Sequence, residues 1–143
     1  MAEASYVLDK SAILALMLGA PGAVEIEDVF GDACVSAVTL SEVIAELQAR
    51  SVPEEMIDAS LADLDMEIVP FDSRQALVAS KLRNITYSYG FDVDERACLA
   101  LAWLTKATAV STNPKWQALQ SDIRVMLIGG HSVEGTLNNA RRS

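Results

Sequence analysis

Short apolar runs alternate with longer amphipathic stretches along most of the chain. Residues 6–9, YVLD, predict a strand that ends on a carboxylate. Apolar positions then predict a helix over 11–18, stopped by Gly19 and Pro21. Val24, Val29 and Phe30, set among Glu25, Glu27 and Asp28, predict a second helix over 23–30. Residues 33–38 are small and β-branched throughout, as a strand buried on both faces requires. Thr39 with Glu42 three positions on has the form of a capping box and starts a helix carrying Val43, Ile44 and Leu47. Pro53 opens a helix to 64, a strand follows over 67–71, and a helix over 73–83 turns Ala76, Leu77, Ala79 and Leu82 inward.

The stretch ITYSYGFDVDE breaks that helix. The most apolar helix covers 92–105 and is expected against the centre of the sheet. A strand over 108–111, a short helix over 114–119 and a last strand over 124–128 complete the pattern. Strands alternating with helices predict an α/β fold, a parallel sheet covered by helices. One domain over 1–128 and a polar tail over 129–143 are expected.

Composition narrows the chemistry. With 143 residues the chain suits a single core, and a 51% hydrophobic fraction excludes general disorder. No apolar stretch reaches the roughly 20 residues that span a bilayer. The opening MAEAS has no basic n-region, so no signal peptide is expected and a cytoplasmic location is. Cys34 and Cys98 lie in apolar segments and read as buried free thiols. His131 is the only histidine and sits in a Gly-rich stretch, which argues against zinc hydrolysis and against Ser-His or Cys-His nucleophiles. The net charge of −9 repels nucleic acid at long range and favours cations or a basic protein.

The acids gather where a site is expected. Ligand sites in open α/β sheets lie beyond the carboxyl ends of the strands. Asp9 follows the first strand, and Glu42 lies in the first turn of the helix after the second. Asp92, Asp94 and Glu95 crowd the start of the most apolar helix, and Asn113 follows the fourth strand. Like charges so placed need a proton or cation, and magnesium or manganese accepts such oxygens. Each residue also has a structural role open to it. Asp9 can cap a helix, Glu42 can complete a T-x-x-E box, Asp92 and Glu95 form D-x-x-E, and Asp94 suits the positive end of a helix dipole. Trp103 and Trp116 read as packing anchors.

Four segments, LDKSAILAL, SAVTLSEVIAEL, DERACLALAWL and VSTNPKW, resemble in order and spacing the motifs of PIN-domain ribonucleases. The likeness, spread over 6–128, is strongest to toxin subunits of type II toxin–antitoxin pairs of the virulence-associated protein C type. It implies a three-layer α/β/α sandwich with a central parallel sheet and an Mg²⁺- or Mn²⁺-dependent site that hydrolyses RNA. It also implies a cognate antitoxin and a homodimer.

The family's acids fall on Asp9, Glu42, Glu95 and Asn113, where aspartate is usual at the last two. Asp9, Glu42 and Glu95 are the expected catalytic set, and Asp94 and Asn113 join them as metal ligands. Lys10 stands where the family often has serine or threonine, while Ser11 keeps its place. Lys10, Ser11, Arg96 and Lys115 are the expected phosphate contacts. The departures at Lys10 and Asn113 leave a second reading open, a PIN-like binding module with weakened catalysis that acts through a protein or RNA partner. A phospho-accepting receiver domain is set aside, because Lys10 replaces its second acid and Gly129-Gly130 replaces its lysine.

Overall fold

The computed structural model describes residues 4–128. Its strands are β1 (Tyr6–Leu8), β2 (Ala33–Ser36), β3 (Glu67–Val69), β4 (Thr108–Ser111) and β5 (Val125–Leu127). They lie in the order β3-β2-β1-β4-β5, every pair parallel. The helices are α1 (Lys10–Leu18), α2 (Ala23–Phe30), α3 (Ala37–Ala49), α4 (Glu54–Leu64), α5 (Ser73–Thr86) and α6 (Val93–Thr105). Two 3₁₀ turns, Tyr87–Tyr89 and Pro114–Ala118, flank α6 and β4.

Successive strand side chains face opposite ways, and this sorts the apolar residues into two cores. Leu8, Val35 and Val110 point to one face, where Ile13, Ile26, Val43, Leu47 and Ile57 of α1–α4 cover them. Val7, Cys34 and Ala109 point to the other, under Leu99, Leu101, Phe91 and Trp116. Three layers result, helices on each side of one parallel sheet, as the motif resemblance implied. Cys34 and Cys98 are buried free thiols. Burial pushes the Cys34 thiol up to about 11, with Glu67 adding to it. Among the described residues no helix is long and apolar enough to cross a membrane.

Several expectations need correction. The second strand stops at Ser36, whose side chain caps α3 by accepting from Val38 N at 3.2 Å. Thr39 is therefore inside α3, fully buried, and makes no capping box with Glu42. The third strand ends at Val69, because Pro70 has no N–H to extend the ladder. Helix α5 runs on to Thr86 and turns Gln75 and Ala79 inward, leaving Ala76 exposed and Leu77 65% exposed. Gln75 earns its burial by donating to the Pro70 carbonyl at 2.9 Å. Trp103 is 53% exposed rather than packed, because small residues on α6 let that helix lie directly on the sheet with Trp103 outside. Trp116 is buried as expected. The tail over 129–143 lies outside the described residues.

The strand order reverses at β1, with β2 and β3 on one side and β4 and β5 on the other. Such a switch opens a crevice at the carboxyl ends of the two strands that meet there, β1 and β4.

Thr39 Oγ1 is buried and has no hydrogen-bond partner among the described residues. An orphaned hydroxyl costs about 1–3 kcal/mol, and valine has nearly the same shape. Thr39→Val is expected to raise the unfolding free energy by about 1 kcal/mol in urea titration. A loss of stability would mean that Thr39 Oγ1 has a partner after all.

Candidate active site

Asp9 is the first residue past β1 and the N-cap of α1. Its backbone N–H donates to the Val110 carbonyl at 3.0 Å, fixing it against β4. Asp9 Oδ1 accepts from Ser11 Oγ at 2.7 Å and from the Ala12 N–H at 2.8 Å. Oδ2 accepts from Ser111 Oγ at 2.6 Å. Each serine has one hydroxyl proton and gives it to Asp9. Their oxygens are then free to accept, Ser11 Oγ from Thr112 N at 2.9 Å and Ser111 Oγ from Asn113 N at 3.0 Å. Burial nevertheless outweighs these donors and pushes the Asp9 carboxyl up to about 6, with the Glu95 charge adding to it.

The start of α6 forms the opposite wall. Asp92 caps the helix, accepting from Glu95 N at 2.9 Å, while Glu95 Oε1 accepts from Asp92 N at 3.2 Å. The D-x-x-E box is thus complete. Glu95 does more than cap. Its Oε1 also accepts from Lys115 Nζ at 2.8 Å, and its Oε2 accepts from Trp116 Nε1 at 2.8 Å. Lys115 donates further to the Gly90 carbonyl at 3.1 Å and lies 4.9 Å from the centre of the Phe91 ring. Asn113 Oδ1 caps the 3₁₀ turn through Lys115 N at 3.1 Å. Both Glu95 oxygens therefore anchor that turn.

Asp94 is different. It is 4% exposed, yet its Oδ1 has no hydrogen-bond partner among the described residues. Burial first, then Asp92, pushes its carboxyl up to about 7; Lys10 pulls the other way, while Glu95 and Asp9 add to the rise. A buried carboxylate oxygen without a protein donor points to a proton or a cation as its partner.

The other candidates lie around this pair. Lys10, in the first turn of α1, is half-buried within electrostatic reach of Asp94. Arg96 is half-buried and donates to the Phe91 carbonyl at 2.9 Å. Glu42 is exposed in the second turn of α3, a helix that packs on both α1 and α6. The motif reading singled out neither Ser111 nor the polar role of Trp116. Both had a signal, a hydroxyl ending the apolar run TAVS and an indole N–H that needs an acceptor when buried.

Carboxylates and hydroxyls make an all-oxygen donor set, which suits a hard divalent ion. Among the described residues no three acidic, histidine or cysteine side chains converge as a ready metal cage. Two carboxylates, Asp9 and Asp94, nonetheless fit the needs of Mg²⁺, which keeps several waters and takes one or two protein carboxylates with substrate phosphate.

The sequence profile of the PIN domain matches residues 6–120. No curated protein sequence matches the chain. Among solved structures, DNA-bound VapBC from Salmonella typhimurium aligns with TM-score 0.70 at 17% identity, over 86% of this chain and 97% of that one. VapBC2 from Rickettsia felis, bound to a promoter DNA fragment, aligns at 0.69 and 16% identity, over 85% and 97%. VapBC-5 from Mycobacterium tuberculosis, of the VapBC family of toxin–antitoxin systems, aligns at 0.59 and 23% identity, over 87% and 98%. At these identities the likeness is one of fold.

The two raised carboxyls set a pH dependence. The unfolded chain loses these protons from the ordinary value of 3.8, whereas the folded chain holds them to about 6 and about 7. The folded state binds more protons across that window, so stability falls as pH rises from about 4 to 7 and is level outside it. The chelator-treated protein is expected to melt ~4 °C or more higher at pH 5 than at pH 8. Asparagine is an equally good N-cap, so Asp9→Asn is expected to raise the pH 8 melting temperature and flatten the slope. A melting temperature that rises between pH 5 and 8 would contradict the buried-acid account.

Proposed function

The chain belongs to the PIN-domain family, and from that premise we propose that it is a divalent-metal-dependent endoribonuclease, the toxin of a type II toxin–antitoxin pair. The observation that carries the reading is the buried Asp94 Oδ1, unpartnered among the described residues and within electrostatic reach of Asp9, at the switch point of the sheet. Asp9 and Asp94 are the carboxylates that would hold Mg²⁺ or Mn²⁺, with Glu42 on the neighbouring α3 as a further candidate. When bound, the ion lowers the pKa of a water and polarises a phosphodiester.

The chain's own residues do the rest. Ser11 and Ser111 lock the Asp9 carboxylate in one orientation through bonds of 2.7 and 2.6 Å. Glu95, the family's third acid by position, serves as a clamp on Trp116 and Lys115, so the ligand role passes to its neighbour Asp94. Asn113 keeps the 3₁₀ turn in place as its cap. Lys10, within electrostatic reach of Asp94, is the first candidate to meet a phosphate, with Arg96 and Lys115 as further ones, while Ser11 gives its proton to Asp9.

An antitoxin partner is supported by the company the fold keeps, since the aligned structures include a toxin–antitoxin complex from Klebsiella pneumoniae and a member of a family of toxin–antitoxin systems, by name. A groove of about 330 Å³ between α1, α2 and α4 has Leu16, Met17, Phe30 and Leu64 in its lining beside Glu27, Ser60 and Asp63, of a kind that takes a helix with an apolar face and basic flanks. The family resemblance extends the reading to a homodimer in the cytoplasm.

A second reading, the binding module with weakened catalysis, draws on charge balance. Lys115 already pairs with Glu95 at 2.8 Å, and Lys10 offsets Asp94. Metal titration separates the two readings. Millimolar Mn²⁺ is expected to raise the melting temperature of the wild type and of Glu95→Gln, and to leave Asp94→Asn unmoved. Glu95→Gln is expected to lose about 1.5–3 kcal/mol of metal-free stability, the worth of a hydrogen bond to a charged group. Cleavage of a structured RNA panel should vanish in Asp9→Ala and rise in Asn113→Asp, which keeps the cap and adds a negative charge at the rim that draws the cation. Cleavage that survives Asp9→Ala would place the chemistry elsewhere. No metal-induced shift and no cleavage would leave the binding module as the reading.

A further inference from the structure

At the far end of α6 from the acids, a cavity of about 540 Å³ opens between the end of that helix, the entry to β4 and the segment before β5. Arg74, Lys106, Arg124, Trp103 and Asp122 line it. Three of the chain's eleven basic side chains meet here, in a protein of net charge −9. None of the three has an acid within ion-pair distance among the described residues. Lys106 ends α6 in the left-handed conformation, φ 58°. Its carbonyl accepts from the Arg124 guanidinium, which fixes one cation at the cavity wall. Trp103 brings an indole that is 53% exposed, with no ring or cation stacked on it among the described residues.

Unpaired cations call for an anion, and an unused indole calls for a flat apolar partner. Single-stranded nucleic acid is the ligand with both, alternating phosphates and stackable bases. Acidic peptide would meet the cations and leave the indole idle. A cationic ligand would meet three like charges. The placement also answers a difficulty of the acidic rim, which repels the phosphates it must approach. Thirteen residues of helix separate the two ends, about 20 Å at 1.5 Å per residue. A strand of a few nucleotides spans that distance.

We infer that this cavity is an exosite for single-stranded RNA, in which Trp103 stacks on a base and Arg74, Lys106 and Arg124 hold the flanking phosphates. The inference rests on the ribonuclease reading for its purpose, though not for its test. Trp116 is 1% exposed and Trp103 half-exposed, so a change of tryptophan emission on binding reports the cavity. The probe is a 12-nucleotide single-stranded RNA titrated into the chelator-treated wild type, followed by emission and, with a labelled strand, by anisotropy.

Saturable quenching that weakens with salt is expected. Trp103→Leu should weaken binding about 5- to 100-fold, the range for a lost base stack. Arg74→Ala, far from the acids, should weaken it and lower the salt dependence. RNA binding without quenching, or unchanged in both variants, would overturn the proposal. So would polyglutamate that competes as well as RNA, which would make the cavity a protein-docking site. With metal restored, both variants should lose kcat/KM on long RNA and keep it on a dinucleotide. Quenching without cleavage of either substrate fails the nuclease reading alone, and cleavage without quenching fails the exosite alone.

Discussion

Asp9 is the constraint from which the rest of the rim takes its positions. One residue ends β1, caps α1, bonds backbone to β4 and receives a hydroxyl proton from each of Ser11 and Ser111. Those serines in turn accept the backbone N–H groups of Thr112 and Asn113, so the loop leaving β4 is shaped by the acid that follows β1. Burying a carboxylate this deeply is costly, and three donors offset only part of the cost. The remainder shows as a carboxyl pushed up to about 6.

The second feature is a division of labour between neighbours on one helix. Successive residues on α6 point about 100° apart, so Asp94 and Glu95 cannot face the same way. Glu95 turns toward the 3₁₀ turn and is consumed by Trp116, Lys115 and the Asp92 N–H. Asp94 turns inward and keeps one oxygen unpartnered among the described residues. The additional methylene of Glu95 is what lets it reach Trp116 from the helix start. The substitution of glutamate for the family's usual aspartate and the presence of Asp94 beside it thus read as one change rather than two.

Charge is distributed along the same helix. Its N-terminal end carries Asp92, Asp94 and Glu95, and the cavity at its C-terminal end gathers Arg74, Lys106 and Arg124. Cations near a helix C-terminus complement its dipole and the acids near the N-terminus do likewise, each by a few tenths of a kcal/mol. The same polarity gives the molecule one acidic end and one basic end. A net charge of −9 conceals this, because it sums over both ends.

The sequence by itself determined the layers. Runs such as ACVS and TAVS are too apolar for anything but a sheet buried on both sides, and the period of the segments between them requires helices. Asp9, Asp94, Glu95 and Asn113 were legible as rim residues because each directly follows a strand or opens a helix, and chain order alone places such residues at one edge. What each side chain does there was decided by tertiary structure. Thr39 and Ser36 compete for the same capping role, and only the pairing of β2 between β1 and β3 settles where the strand stops. Leu77 and Trp103 turned outward because small residues on α5 and α6 let those helices pack closely, a preference of shape that hydrophobicity does not encode. The fates of Asp94 and Glu95 were set by Trp116, about twenty residues away in sequence and 2.8 Å from Glu95 in space. Contacts of that kind depend on the folded distance between chain segments, which no local pattern carries.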